Sequence, residues 1–83
     1  MTLEERETAY HEAQHSIDII LSDITSYATS TNYAINYCRA AKGMVGHEFR
    51  VQCAYILNNI THWRHPQAKL VRSILREYSK STL

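Results

Sequence analysis

Five consecutive residues near the start of the chain have the form of a catalytic metal motif. His11 and His15 are four positions apart, and Glu12 directly follows the first of them. On a helix this H-E-x-x-H spacing places both imidazoles on one face, one turn apart, where they can bind zinc while the glutamate acts as general base. The chemistry that this pattern suggests is zinc-dependent hydrolysis.

The residues around the motif resemble a known family. Residues 8–15 read TAYHEAQH and are similar to the YHEAGH segment of zinc metalloproteases tethered to AAA-type ATPases. The resemblance implies that His11 and His15 are zinc ligands and that Glu12 is the base. It is confined to residues 8–15 and departs from the family at Gln14, where the family has glycine.

The position of the motif on its helix argues against catalysis. Apolar residues recur here at steps of three and four, which predicts one buried side of a helix: Tyr10, Ala13, Ile17, Ile20, Ile24 and Tyr27. The two histidines fall on the opposite side, and we find no third ligand for a catalytic zinc. We therefore interpret the motif as a coincidence on an exposed surface and expect no enzyme activity, metal or cofactor. A weak surface metal site formed by His11, His15 and Asp18 is the alternative.

The chain is predicted to be all-α, a single domain over residues 1–83 that forms a compact bundle of three to four helices with a long first helix. Thr2 and Glu5 have capping-box spacing, so the first helix should run from about residue 3 to about residue 28. Three more helices are expected over about 33–42, about 47–63 and about 66–79, with Pro66 at the first position of the last.

The periodicity of the last three helices also predicts which residues are buried. The expected inward positions are Ala34, Tyr37, Cys38 and Ala41, then Val45, Phe49, Cys53, Ile56, Ile60 and Trp63, and finally Val71, Ile74, Leu75 and Tyr78. The two cysteines lack CxxC spacing, which indicates buried free thiols of an intracellular protein.

Charge is distributed unevenly along the chain. Residues 1–29 hold six acidic side chains and one arginine, whereas residues 62–83 hold five basic side chains and one glutamate. Such opposed ends attract each other within a bundle or between two copies, or bind partners of different sign. The first helix is also longer than its neighbours, so part of its apolar side must be covered either by the second and third helices together or by a second copy, and we favour a homodimer.

A basic ridge is predicted on the fourth helix. It comprises Lys69, Arg72, Arg76 and Lys80, with Arg64 and His65 nearby, and lies opposite the expected core. Such a ridge is suited to following phosphates or to docking on an acidic protein surface. The alternative is a solvated face that complements the acidic first helix.

The outer side of the third helix carries Val51, Tyr55, Asn58 and His62, again at steps of four, three and four. Exposed aromatic residues with polar neighbours are typical of protein interfaces. The alternative is that this helix is central, buried by the first helix on one side and by the second or fourth on the other.

The second half of the chain resembles another group of proteins. Residues 56–64 read ILNNITHWR and residues 68–72 read AKLVR, similar to the tails of small bacteriophage and prophage proteins with an L-N-N…W-R-G…A-K…R…L pattern. His65 replaces the usual glycine of that pattern. The resemblance implies a phage-type protein, a class that often binds and blocks host proteins, including CRISPR and other defence machinery.

These observations predict a non-enzymatic protein-interaction module, in particular a phage-type inhibitor (such as an anti-CRISPR protein) of a host protein or complex. A nucleic-acid-binding accessory protein that uses the basic ridge is the first alternative, and a zinc-dependent hydrolase is the second. The acidic N-terminus lacks the basic and apolar segments of a signal peptide, and no apolar run is long enough to span a bilayer. We therefore expect a cytoplasmic protein that does not bind membranes.

Overall fold

Four helices make up most of the chain. The computed structural model describes residues 2–23 and 32–80. Within these ranges the helices are α1 (Leu3–Ser22), α2 (Asn32–Ala41), α3 (Gly46–Asn59) and α4 (Ala68–Lys80), and there is no strand. The described part of the chain measures 39 × 23 × 17 Å. The prediction of a compact all-α bundle with a long first helix is confirmed.

Each helix packs against two neighbours. α1 and α3 both contact α2 and α4, so α1 and α3 lie diagonally across the bundle. The Tyr10 and Phe49 rings meet near the starts of α1 and α3, and Trp63 meets Asp23 just beyond the ends of the same helices. The two helices therefore run in the same direction, as in an up-down-up-down bundle. The α2–α3 side of the molecule is opposite the α1–α4 side. α3 has α2 and α4 as its neighbouring helices and meets α1 only across the core, where Phe49 packs on Tyr10, so the alternative of a central α3 buried by α1 on one side does not describe the bundle.

The core draws on all four helices and on the turn after α3. Its buried apolar residues are Ala13, Ile17, Ile20, Ala34, Ile35, Cys38, Ala41, Phe49, Cys53, Ile56, Ile60, Trp63, Ala68, Val71 and Leu75. Phe49 is fully buried between Tyr10 and Tyr78, with ring centroids 5.4 and 5.1 Å away. Inclined aromatic pairs at this separation are favourable beyond the area that they bury. Phe49 thus links α1, α3 and α4.

The first helix begins as predicted and ends early. The Glu5 backbone N–H donates to Thr2 Oγ1 at 3.1 Å, which confirms Thr2 as the cap. The predicted end near residue 28 is wrong, because α1 ends at Ser22. The Asp23 N–H donates to the Ile20 carbonyl, and its carboxylate accepts the Trp63 indole N–H at 2.7 Å. Of the predicted core positions, Ile24 and Tyr27 lie outside the described residues.

Polar contacts fix the end of α2 against α1. Gln14 is buried and donates through Nε2 to the Ala41 carbonyl at 3.0 Å, and the Tyr10 hydroxyl donates to the Met44 carbonyl at 3.1 Å. Gly43, with φ of 88°, ends α2 in the left-handed region that other residues rarely adopt. The chain can therefore turn back towards α3 within a few residues.

Two predicted core residues are exposed, and several helix bounds differ from those predicted. Tyr37 is 37% and Val45 67% exposed, so their predicted burial is wrong. On α2 the inward position is taken instead by Ile35, which is 3% exposed. α3 ends at Asn59, before the predicted residue 63, and α4 starts at Ala68, after Pro66. On α4, Val71 and Leu75 are buried as predicted, whereas Ile74 and Tyr78 are half-buried.

The two cysteines are buried and free, as predicted. Burial raises the pKa of each thiol to about 12, and for Cys38 the nearby Cys53 adds to the effect. Because the thiolate is the reactive form, both side chains are inert core residues near neutral pH. None of the helices in the described ranges is long and apolar enough to cross a membrane.

Candidate functional site

The H-E-x-x-H residues lie on the surface. His11, Glu12 and His15 are all exposed, which confirms that the histidines face away from the core. Asp18, the third residue of the alternative surface site, pairs with Lys42 at 2.8 Å. Across residues 2–23 and 32–80, no three His, Cys, Asp or Glu side chains are grouped so that they could hold a metal ion. The predicted set of His11, His15 and Asp18 therefore does not form a three-ligand site.

A pair of stacked tyrosines lies on the α2–α3 side of the bundle. The Tyr37 and Tyr55 ring centroids are 5.8 Å apart, and the planes are inclined by 28°. The two residues nevertheless remain 37% and 50% exposed, and Val51, one turn before Tyr55, is 37% exposed. We call these three residues the aromatic patch. The outward position of Val51 and Tyr55 is as the sequence predicted, whereas Tyr37 was expected in the core.

Backbone contacts hold the aromatic patch in place. Gln52 donates through Nε2 to the Tyr37 carbonyl at 2.9 Å, which joins α3 to α2 directly beneath the stacked rings. Asn59 donates through Nδ2 to the Tyr55 carbonyl at 2.8 Å. Since the rings already contact each other in the free protein, a partner would have less side-chain motion to restrict on binding.

Charged side chains are missing from the segment that begins at Val51, although exposed Glu48 lies one turn before it on α3 and exposed Arg39 two residues after Tyr37 on α2. No Asp, Glu, Lys or Arg occurs from Val51 to Trp63. Asn58 is exposed on α3, whereas His62, predicted on the same outer side of the helix, is exposed in the turn after α3 has ended. An apolar and aromatic centre with polar residues at its border is the composition of protein interfaces.

Three of the four residues of the basic ridge on α4 are exposed to solvent. Lys69, Arg76 and Lys80 are exposed and make no ion pair with another described residue. Arg72 is half-buried and donates through Nη1 to the Ile60 and Trp63 carbonyls, each at 3.1 Å. The prediction that Arg72 lies on an open ridge is therefore wrong. Its guanidinium instead binds the turn after α3, where the Ile60 carbonyl also accepts the Trp63 backbone N–H.

The two residues predicted to extend the basic ridge differ from each other. Arg64 is exposed. His65 is half-buried and stacks on Trp63, with ring centroids 5.2 Å apart and planes inclined by 17°. Its Nδ1 also accepts the Gln67 backbone N–H at 3.0 Å. His65 thus belongs to the turn between α3 and α4, and Arg64 remains available to a ligand.

A groove of about 380 Å³ runs along the surface where α1 and α4 pack against each other. Its least polar lining residues are Ala9, Ile74 and Tyr78, and its polar ones are Glu12, Ser73, Glu77 and Lys80. We call it the α1–α4 groove. Burial raises the pKa of Tyr78, which keeps its phenol neutral, although the Arg50 guanidinium 5.5 Å from the ring centre acts in the opposite direction. The periodicity of single helices did not reveal this groove, because it exists only where α1 and α4 pair.

By their exposure, charge or shape, three surfaces are candidates for binding a ligand: the aromatic patch, the basic ridge and the α1–α4 groove. No protein-family model, curated protein or solved structure matches this chain. The functional assignment accordingly rests on the chemistry of these surfaces.

Proposed function

We propose that this chain is a non-enzymatic protein-interaction module that binds a partner protein through the aromatic patch. The observation that carries the proposal is the stacked pair of exposed tyrosines, of which Tyr55 lies with Val51 in a segment, Val51 to Trp63, without Asp, Glu, Lys or Arg. Tyrosine is enriched among the residues that dominate binding energy, because its ring supplies contact area and its hydroxyl a hydrogen bond.

We propose further that the chain is a phage-type inhibitor. Its partner would be a host protein or complex, such as defence machinery, which it binds and blocks. The support for this narrower identification is the resemblance of the tail, residues 56–72, to small phage and prophage proteins. A cytoplasmic location belongs to the same proposal. It is supported by Cys38 and Cys53, which are free thiols, as is usual in reducing compartments.

The test is quantitative capture from a bacterial lysate with wild-type protein and three variants. Tyr37→Ala and Tyr55→Ala each remove half of the stacked pair. Leu70→Ala is the matched control, because Leu70 is 56% exposed and lies on α4, away from the aromatic patch. We expect one protein to be retained by wild type and by Leu70→Ala, and its binding to purified chain to weaken at least about tenfold in either tyrosine variant.

Salt and folding controls complete this test. Capture through the aromatic patch should change little when salt is raised, since no charged pair is required at its centre. Circular dichroism should show unchanged helix content in all three variants. If the captured protein binds both tyrosine variants as tightly as wild type, the aromatic patch is not the binding surface and the proposal is wrong.

Nucleic-acid binding through the basic ridge is a second candidate function. It is favoured by the exposure of Lys69, Arg76 and Lys80 and by their lack of ion-pair partners among the described residues. Phosphate binding would weaken steeply with salt and would be lost in Lys69→Glu/Arg76→Glu. Retention of duplex DNA or RNA by that double variant would exclude the basic ridge as the nucleic-acid site.

A further inference from the structure

The α1–α4 groove and the basic ridge lie side by side and differ in charge. Glu12 and Glu77 line the groove, and a shallower hollow that shares Ala9 and Glu12 with it extends along α1 past Glu4 and Glu5. Lys80 lines the groove and also belongs to the basic ridge. α4 thus carries a mainly acidic groove on its flank towards α1 and the basic ridge on its flank towards α3, where Arg72 reaches the turn after α3.

The lining of the groove defines the chemistry of its ligand. An apolar floor with carboxylates at its border suits a long cationic side chain, whose hydrocarbon stem lies on the floor while its charge meets the carboxylates. The volume of about 380 Å³ is in the range of small-ligand sites. Arg76 and Lys69 are side chains of this type, and both are exposed and without ion-pair partners among the described residues.

We propose that the α1–α4 groove binds the basic ridge of a second copy of this chain. Ala9 and Glu12 lie beside the C-terminal half of α4, at the same height along the bundle. Arg76 and Lys80 lie in that half of α4. A two-fold axis parallel to the helices and next to α4 would set the α1–α4 groove of each copy against the basic ridge of the other. The same acidic-to-basic contact would then form twice, and the pair would be closed.

This self-association is separate from partner binding. The aromatic patch lies on the α2–α3 side, opposite the α1–α4 side, so the pair would leave both patches free. Glu12 would gain a role in this arrangement, as a docking carboxylate rather than as a catalytic base. The inference stands or falls independently of the proposed function, because variants of Tyr55 should not alter it.

The experiment is sedimentation velocity over a range of concentrations, at low salt, with charge-reversed variants. Glu12→Lys reverses the charge of one residue in the groove, and Arg76→Glu reverses the charge of one residue in the basic ridge. Glu7→Lys is the control, with the same charge change on the same helix but outside the groove lining. We expect wild type and Glu7→Lys to dimerise, and each of the other two variants to associate at least about tenfold more weakly.

The decisive sample is an equimolar mixture of Glu12→Lys and Arg76→Glu. In a mixed pair each groove again faces a ridge of opposite charge, so association should return to within about threefold of wild type. This gain of association cannot come from a folding defect. A wild-type chain that stays monomeric would overturn the proposal, as would a mixture no stronger than its components or association lost through Tyr55→Ala.

Discussion

The α2–α3 and α1–α4 sides of this bundle differ in the kind of surface they expose. The first presents two stacked, exposed tyrosines and an exposed valine. The second presents a groove lined by glutamates beside exposed lysine and arginine. Contact on the first side would be driven mainly by removal of apolar surface from water, and on the second mainly by charge, which salt screens. Salt dependence therefore separates them.

The largest expected effect concerns the inner and outer faces of α3. Phe49→Ala removes a fully buried ring that contacts α1 and α4, and should cost about 3–5 kcal/mol of unfolding free energy. Tyr55→Ala, on the outer face, should lower stability by about 1 kcal/mol or less, because it loses mainly the stack on Tyr37. Urea denaturation measures both. Equal losses in the two variants would mean that Tyr55 is a core residue and not a binding residue.

Two arginines one turn apart on α4 provide the next contrast. Arg72→Ala should cost about 2 kcal/mol, because two backbone carbonyls lose a charged donor. Arg76→Ala should leave the unfolding free energy unchanged within error, since Arg76 is exposed. The same denaturation assay tests both. Should Arg76 prove the costlier of the two, the division of the basic ridge into one structural and three open positions would be incorrect.

High pH should lower the stability of the bundle through the two thiols buried in its core. The unfolded thiols ionise near their ordinary pKa of 9.0, and the folded ones only near 12, so the unfolded chain releases protons first. Stability should therefore fall as pH rises above about 9, by up to about 1.4 kcal/mol per pH unit for each thiol. Cys38→Ala/Cys53→Ala should show a shallower decline in thermal unfolding between about pH 9 and about pH 11. An unchanged slope in that variant would contradict the burial of the thiols.

The smallest expected effect is at the histidine motif, on the outer face of α1. His11→Ala/His15→Ala should leave the melting temperature unchanged, and the purified wild-type chain should contain less than one zinc per molecule. Both expectations follow from the exposure of the two side chains and from the pairing of Asp18 with Lys42. Stoichiometric zinc, with a melting temperature that falls on chelation, would restore the hydrolase alternative.

Much of the fold was predictable from local patterns in the sequence. Thr2 and Glu5 fixed the start of α1, and the three-and-four spacing of Ala13, Ile17 and Ile20 defined its buried face. The number of helices, the burial of the cysteines and the outward position of Val51 and Tyr55 followed in the same way. These features depend on short-range geometry, which a helix repeats whatever it packs against.

The features that sequence reasoning missed depend on contacts between helices. Tyr37 fits the border of an apolar face as well as Ile35 does, and the position of α3 decides which of them is buried. Arg72 shares the periodicity of the basic ridge, but it binds carbonyls that become available only because α3 ends at Asn59. The α1–α4 groove likewise requires knowledge of which helices are neighbours. A helical pattern gives the direction of a side chain and not its partner.

The most direct test of the central claim is site-specific photocrosslinking in bacterial cells. Benzoylphenylalanine is placed at position 51, in the aromatic patch, or at position 70, on the exposed surface of α4. We predict a crosslinked product with a different protein from position 51 only, whereas position 70 gives at most a dimer of this chain, and we predict loss of the product at position 51 when Tyr55→Ala is added. The same products from both positions, or a product at position 51 that persists in Tyr55→Ala, would contradict the assignment of the aromatic patch as the partner-binding surface.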